Sequence, residues 1–381
     1  MHYPVLRVLA DGQKYTVEQL IERLALSPTQ LEQAINTLTA YGIRLYSPAA
    51  HTYQLHEPLE LLEHSRISAA LSAANRQRLA QLEIHSVLDS TNRYALEDKK
   101  AVPYACLAEY QTAGRGRQGR KWISPYASGI SLSIKYRYAT TIDSLAGLNI
   151  ALAVTVGRVL WNLGAQEVGL KWPNDVLWQG RKLAGLLLES RGKEVVIGIG
   201  LNVKMPSIDD TKTITQPWVD LYTILGQTFS RNALAARLIA HCLQTLIIYP
   251  QVGLAPFRHD WHRFDLSYGQ LVTLKIPHRP PKKIANTPLK DDTIISHFQL
   301  KNNDRVAHSN FKKNQIAATA CQNMNVSFQK KPLTERTQSA QPFQEEFVTG
   351  TAWGIDDEGA LLLQVGQKIR RYVYGEVSLR L

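Results

Sequence analysis

Two stretches of this chain carry side chains suited to phosphate chemistry. The first, Gly114-Arg-Gly-Arg-Gln-Gly-Arg-Lys-Trp122, places four cations and three glycines in eight residues and closes on an indole. Glycine lets backbone N–H groups approach a ligand closely, a guanidinium fork grips phosphate oxygens two at a time, and an aromatic face covers a base or ring. Such a loop is built to enclose a small anion. The second stretch, Lys171-Trp-Pro-Asn-Asp175 followed by Arg181-Lys-Leu-Ala-Gly185, adds lysines and an acid, which suits turnover of a phosphate compound rather than its storage. Gly/Arg runs also occur in disordered RNA-binding segments. Here, however, Ala105-Cys-Leu-Ala-Glu-Tyr110 precedes the loop and Gly129-Ile-Ser-Leu-Ser-Ile134 follows it, and both read as strands. A loop held by two strands has a fixed shape, so a ligand clamp is expected.

The elements that must hold these residues are legible in outline. Residues 84–228 alternate strand-like and helix-like patterns, with an apolar helix over 146–164 and a β-branched run over 195–203 of the kind found in strands buried on both faces. Helices are expected over 231–249 and 254–264. Strands are expected over 271–276, 347–353, 360–365 and 369–379, with Asp356-Asp-Glu-Gly359 as a turn, which together predict a small C-terminal β-barrel. Residues 277–345 interrupt that barrel. They are poor in apolar side chains, carry eleven Lys/Arg against five Asp/Glu, and bury too little to offset an ordering entropy of about 1–2 kcal/mol per residue, so a disordered insertion is expected.

At the N-terminus, Thr16-Val-Glu-Gln19 and Ser27-Pro-Thr-Gln30 are two capping-box patterns, each followed by an apolar stripe. Two short helices joined at Ala25-Leu26, with a hairpin over 44–55, predict a winged helix-turn-helix over residues 1–64. The leucines of 59–82 recur at helical intervals and predict a helical connector, assigned to 65–83. The chain has 381 residues, 44% of them hydrophobic, enough for two or three domains. No window approaches the ~18 consecutive apolar residues of a membrane span. The three cysteines, Cys106, Cys242 and Cys321, have neither disulfide-framework nor zinc spacing, which points to a reducing cytoplasm.

The order Asp89-Ser-Thr-Asn92, Glu109 to Trp122, Lys171 to Asp175, Arg181 to Gly185 and Gly198-Ile-Gly-Leu-Asn-Val203 resembles the biotin–protein ligases, and the N-terminal unit makes the chain similar to their bifunctional bacterial form, a repressor of biotin synthesis genes as well as a ligase. The resemblance covers 1–276 and 346–381. It implies an α+β chain made of a winged helix-turn-helix, a mixed α/β catalytic domain over 84–270 resembling class II aminoacyl-tRNA synthetases, and an SH3-like barrel from 271–276 and 346–381. It implies that biotin attacks ATP, with Mg²⁺, to give biotinyl-5′-AMP, and that a lysine of the biotin carboxyl carrier protein of acetyl-CoA carboxylase then takes the acyl group. A homodimer forming on adenylate binding and operator DNA are the further partners implied.

By the same resemblance, Ser90, Thr91, Asn92, Gln111, Arg115, Gly116, Arg117, Lys182 and Gly185 correspond to biotin-site positions. Arg117, Arg120, Trp122, Asn174, Lys182 and Asn202 correspond to nucleotide-site positions. Lys182, Arg117 and Asp175 are the expected catalytic groups, with Asn174 near the metal–triphosphate. Each has a plainer reading: Ser90-Thr91-Asn92 as a helix cap, Asp175 as a turn cap or a partner of Arg181, Lys171 as a screen at a strand end, Trp172 as core. The crowded cations of 114–122 should leave the loop mobile until the adenylate arrives.

DNA binding is a separate question, because Lys and Arg supply most of such affinity. Residues 1–64 hold four Lys/Arg against seven Asp/Glu. The second helix offers only Thr29, Gln30, Gln33 and Asn36 for reading base edges. Either these residues read an operator or the unit is a retained fold that orders the ligase or its dimer. Two alternatives to the ligase stay open: a non-enzymatic biotin-sensing regulator, and a lipoate-type ligase.

Overall fold

In the computed structural model the described residues are 2–139, 145–206, 214, 216–276, 346–373 and 375–379. The insertion expected over 277–345 lies outside them, as does Cys321.

The N-terminal unit runs α1 (His2–Leu9), β1 (Tyr15–Thr16), α2 (Val17–Leu24), α3 (Pro28–Ala40), β2 (Leu45–Tyr46) and β3 (Thr52–Leu55), with its strands in the order β1-β3-β2. Both capping boxes form. The Thr16 hydroxyl accepts from the Gln19 amide at 3.2 Å while Gln19 Oε1 accepts from the Thr16 amide at 2.8 Å, and Ser27 and Gln30 do the same at 3.2 and 2.8 Å. Ala25, at φ 49°, makes the left-handed corner between α2 and α3. Leu20, Leu31, Ala34 and Leu38 then bury against Val5, Leu6 and Leu9 of α1.

The connector differs from the sequence expectation. It forms two short helices, α4 (His64–Ala70) and α5 (Ala73–Arg78), and from Gln81 the chain is already strand β4 (Gln81–Leu88). A parallel partner for residues 81–88, β5 (Tyr104–Gln111), lies far along the chain and outweighs the local helical spacing of the leucines. Glu60 accepts from the Arg231 amide and from Ser230 and Asn232, while Arg231 Nη2 donates to buried Glu109 at 2.7 Å. Tyr41 of the N-terminal unit lies 5.0 Å from the Tyr110 ring and 6.2 Å from that of Tyr126. Polar knot and aromatic cluster together dock the unit on the central domain.

The central sheet adds β6 (Gly129–Arg137), β7 (Val168–Lys171), β8 (Asp175–Trp178), β9 (Arg181–Arg191) and β10 (Glu194–Asn202), in the order β4-β5-β6-β10-β9-β8-β7. One face is covered by α7 (Leu148–Asn162) and α9 (Arg231–Val252); α6 (Thr91–Glu97) lies on the other. β10 shows why the second face is open. Val195, Ile197, Ile199 and Leu201 point into the core, whereas the alternate positions read Val196, Gly198, Gly200 and Asn202. The run is thus a strand, as expected, but only one face is fully packed. Among the described residues α9 is long and apolar enough to cross a bilayer; its apolar positions, such as Leu238, Ile239 and Leu246, are buried in the core instead.

Short α8 (Leu221–Leu225) and α10 (Ala255–Phe264) complete the domain. The C-terminal unit is a five-stranded antiparallel sheet of β11 (Leu271–Ile276), β12 (Glu346–Ile355), β13 (Leu361–Val365), β14 (Lys368–Tyr372) and β15 (Glu376–Leu379), ordered β14-β13-β12-β11-β15. The single strand expected over 369–379 is two strands. The turn at 356–359 meets the central domain, where the Trp172 indole, 1% exposed, donates to the Gly359 carbonyl at 3.1 Å. Trp172 is core, as its plainer reading had it.

Candidate active site

The 114–122 loop is a narrow hairpin. Gly116 donates to the Arg120 carbonyl at 2.7 Å, Trp122 donates to that of Gly114 at 2.9 Å, and Arg115 bridges Lys121. A Cβ on Gly114 would sit 2.3 Å from the Trp122 carbonyl oxygen, so only glycine permits the strands to close.

Between this hairpin and the open face of β9 and β10 lies a cavity of about 590 Å³. Ser90, Thr91, Asn92 and Gln111 line one end of it, Arg115, Gly116, Arg117, Arg120 and Trp122 line the hairpin side, and Asn174, Asp175, Lys182, Gly185 and Asn202 line the opposite wall. Every catalytic, biotin-site and nucleotide-site residue expected from the sequence therefore borders one space, although the segments that supply them are far apart in the chain. The glycines create that space. A Cβ on Gly200 would lie 2.2 Å from the Trp122 ring, and one on Gly198 would lie 2.2 Å from Asn92 Oδ1.

Ser90 has the cap role of its plainer reading and also borders the cavity. Its hydroxyl caps α6 by accepting from the Arg93 amide, and it is 1% exposed at the cavity wall. Gln111 Oε1 accepts from the Thr91 amide at 2.8 Å, and its Nε2 donates to Ser131 at 3.2 Å. Asn92 Nδ2 donates to the Leu187 carbonyl and to Glu189, so its amide group is largely used in holding α6 to β9. Asn174 Nδ2 donates to the Leu186 carbonyl at 2.6 Å, and Asn202 Nδ2 to the Val219 carbonyl at 3.1 Å.

Asp175 is 6% exposed and stands between two lysines, Lys182 Nζ at 2.8 Å and Lys171 Nζ at 3.0 Å. It is neither a turn cap nor the partner of Arg181, which lies over the Trp178 ring. Burial alone would raise its carboxyl, but the Lys182 and Lys171 ammoniums outweigh burial and hold it below the ordinary 3.8. Lys171 lies outside the residues that line the cavity and meets the site through its ion pair with Asp175, four residues on, which agrees with its plainer reading as a charge screen. Lys182 also sits 5.7 Å above the Trp122 ring. The Trp122 indole N–H is buried without a hydrogen-bond partner among the described residues. An orphan donor on a cavity wall is a free recognition point for a ligand acceptor.

Glu189, Ser131 and Ser133 are neighbours of the site, hydrogen-bonded to Arg115, Asn92, Gln111 and Thr91, that sequence reasoning did not single out. Only the period-2 alternation of β6, β9 and β10 around them carried a signal, because none belongs to a charged cluster. The four residues proposed for DNA lie on α3, where Thr29, Gln33 and Asn36 are exposed and Gln30 is half-buried with its Oε1 engaged in the capping box.

Residues 84–205 match the family model of the biotin/lipoate A/B protein ligases, and residues 344–380 match that of the biotin protein ligase C-terminal domain. Over 279 residues the chain is 37% identical to the bifunctional ligase/repressor BirA of Salmonella typhimurium, covering 71% of this chain and 85% of that protein. It is 36% identical to the BirA of Escherichia coli with the same coverage of this chain and 84% of the relative. Among solved structures, the biotin protein ligase from Aquifex aeolicus in complex with biotin and ATP superposes with a TM-score of 0.55 at 21% identity, covering 79% of this chain and 99% of that one, a likeness of fold.

Proposed function

The chain belongs to the biotin protein ligase family, and on that premise we propose that the cavity between the 114–122 hairpin and strands β9 and β10 is where biotin and ATP react. The protein is an ATP-dependent biotin–[acetyl-CoA-carboxylase] ligase. One biotin carboxylate oxygen forms a bond to the α-phosphorus of ATP, and pyrophosphate leaves. A lysine amine of the carrier protein then attacks the acyl carbon of biotinyl-5′-AMP, loses a proton, and expels AMP.

The observation that carries the site assignment is the placing of Lys182, Arg115 and Arg117 around one cavity, with the Asp175–Lys182 pair at its wall and Lys171 behind Asp175. The first step gathers negative charge at the α-phosphate, where fixed cations lower the barrier most. Lys182 is the group for this. Asp175 fixes its position, and Lys171 shares the carboxylate so that Lys182 is not wholly neutralised by it. A carboxylate held below its ordinary range is a poor proton acceptor near neutral pH, so Asp175 acts by orienting the lysines and, in the second step, by attracting the incoming amine rather than by general-base catalysis. Arg117 and Arg120 take phosphate oxygens, the Trp122 face covers the adenine, and Ser90, Thr91 and Gln111 take the polar groups of biotin.

Among the described residues no group of three His, Cys, Asp or Glu side chains is placed to hold a metal. Both Asp175 oxygens are engaged by lysines. Asn174 offers one neutral oxygen. The residues do not make a resident metal site, so magnesium enters as part of the Mg–ATP substrate, and no step here runs through a protein-bound ion.

Biotin-dependent ATP–pyrophosphate exchange, run beside lipoate, tests the assignment. Exchange with biotin alone is expected. Exchange with lipoate instead, or biotin binding without exchange, would replace it with a lipoate-type ligase or a sensor. The repressor activity named for both BirA relatives supports reading the N-terminal unit as a winged helix-turn-helix that recognises operator DNA through Thr29, Gln33 and Asn36. The C-terminal sheet reads as the SH3-like barrel, the partner as a biotin carboxyl carrier protein, and the working assembly as a homodimer. Free, buried Cys106 and Cys242 suit a reducing cytoplasm.

A further inference from the structure

We infer that Glu189 is a positioning residue that couples the polar end of the cavity to the first arginine of the hairpin, an inference that rests on the ligase reading above. An unbroken series of hydrogen bonds connects the two. Gln111 holds Ser131 and the Thr91 amide. The Ser133 hydroxyl lies 2.8 Å from Thr91 Oγ1 and 2.7 Å from Asn92 Oδ1. Asn92 Nδ2 donates to Glu189 Oε2 at 3.0 Å, and Arg115 Nη2 donates to Glu189 Oε1 at 2.7 Å. One carboxylate thus gives one oxygen to α6 and the other to the hairpin.

The series is stiff at its centre. Asn92 is 3% exposed and rests on Gly198, where even a methyl group would meet its Oδ1 at 2.2 Å. Asn92 is thus packed directly on β10, with its Oδ1 also held by Ser133. The hairpin end is open by contrast, with the Arg115 side chain 44% and that of Glu189 21% exposed. An ion pair so exposed adds little to global stability. Its consequence is geometric: it fixes the hairpin over whatever occupies the Thr91–Gln111 end. Occupancy of that end by the ureido or acyl part of the ligand would be transmitted to the hairpin, and the hairpin would stay shut over the mixed anhydride until the carrier lysine arrives.

The test uses the full chain and follows escape of biotinyl-5′-AMP into solution after one turnover, together with KM for biotin and kcat in pyrophosphate exchange. Glu189→Ala should release adenylate about tenfold faster, the effect of losing a charge-assisted hydrogen bond, and should raise KM for biotin more than it lowers kcat. Glu189→Gln, which keeps an acceptor for Asn92 but not the charge for Arg115, should fall between. Arg115→Ala combined with Glu189→Ala should release adenylate no faster than Arg115→Ala alone, because the two act as one unit. Glu97→Gln, which removes only a surface pair with Arg93, should change neither constant. Release by Glu189→Ala within about twofold of wild type, multiplicative effects in the double variant, or a loss that merely tracks the folded fraction would each overturn the inference. A wild-type chain that makes no adenylate sinks the ligase reading and this inference with it; a wild type that makes it and an alanine variant that retains it equally well overturn the inference alone.

Discussion

The cavity under the 114–122 hairpin and the N-terminal unit are shaped by the same local rules but furnished differently. In the N-terminal unit, two capping boxes and an apolar stripe place α2 and α3, and the exposed face of α3 carries amides, hydroxyls and the Glu32 carboxylate without one cation. In the central domain, strand alternation makes a face of glycines, and cations are brought to it from two distant segments, the hairpin and the start of β9. The difference teaches where function can be read. Caps and apolar spacing specify a fold without specifying a ligand, whereas charge that must be desolvated and held together specifies the ligand first.

The sharpest way to break this contrast is to remove the cation on which the cavity depends. Lys182→Ala should lower biotin-dependent pyrophosphate exchange, per folded molecule, about a hundredfold, toward the upper range for one charge-assisted hydrogen bond, and should also lower the thermal midpoint, since buried Asp175 is left with Lys171 alone. Exchange within about threefold of wild type would make the cavity no more specialised than the α3 surface. A smaller loss, about tenfold, is expected for Lys171→Met, since Asp175 keeps Lys182 as a partner. Lys171→Arg should recover most of it. Equal losses in the Lys171 and Lys182 variants would contradict the division of roles.

The pH dependence of stability sharpens the comparison further. Asp175 has its folded value held below the ordinary 3.8, so its contribution is fully present above that value and disappears as pH falls through the lower folded value. The gap in thermal midpoint between wild type and Asp175→Asn should therefore be constant from pH 7 to about pH 5 and close only in acid. A gap that closes already between pH 7 and 6 would mean that the two lysines do not hold the carboxylate ionised. The smallest effect is expected at the N-terminus. With four Lys/Arg in residues 1–64, operator binding seen in a mobility-shift assay should weaken only shallowly with salt, because few counterions are released. A steep salt dependence would show that cations outside this unit carry the contact.

The sequence made the cavity's membership legible and left its internal wiring hidden. Arg115, Lys182 and Asn202 stand in compact, charged or glycine-marked segments whose chemistry limits what they can do. Lys171 stands in such a segment too, yet its pairing with Asp175 was hidden because it depends on how the 171–175 turn bends back. Glu189 was invisible for a related reason: it is an ordinary acid near the end of a strand, and its role arises only when β9 passes between α6 and the hairpin. The leucines of 59–82 misled in the opposite sense, since a strand partner from far along the chain overrode their helical spacing. Long-range pairing decided each of these cases, and local pattern carries no record of it.

The account turns on whether the hairpin cations and Lys182 act on one ligand. Mass spectrometry of the protein after incubation with biotin and Mg–ATP, without carrier, addresses this directly. The account predicts one bound biotinyl-5′-AMP per chain in the wild type and a loss of that species in both Lys182→Ala and Arg117→Ala. Unreacted biotin and ATP in the wild type, or undiminished adenylate in both variants, would contradict it.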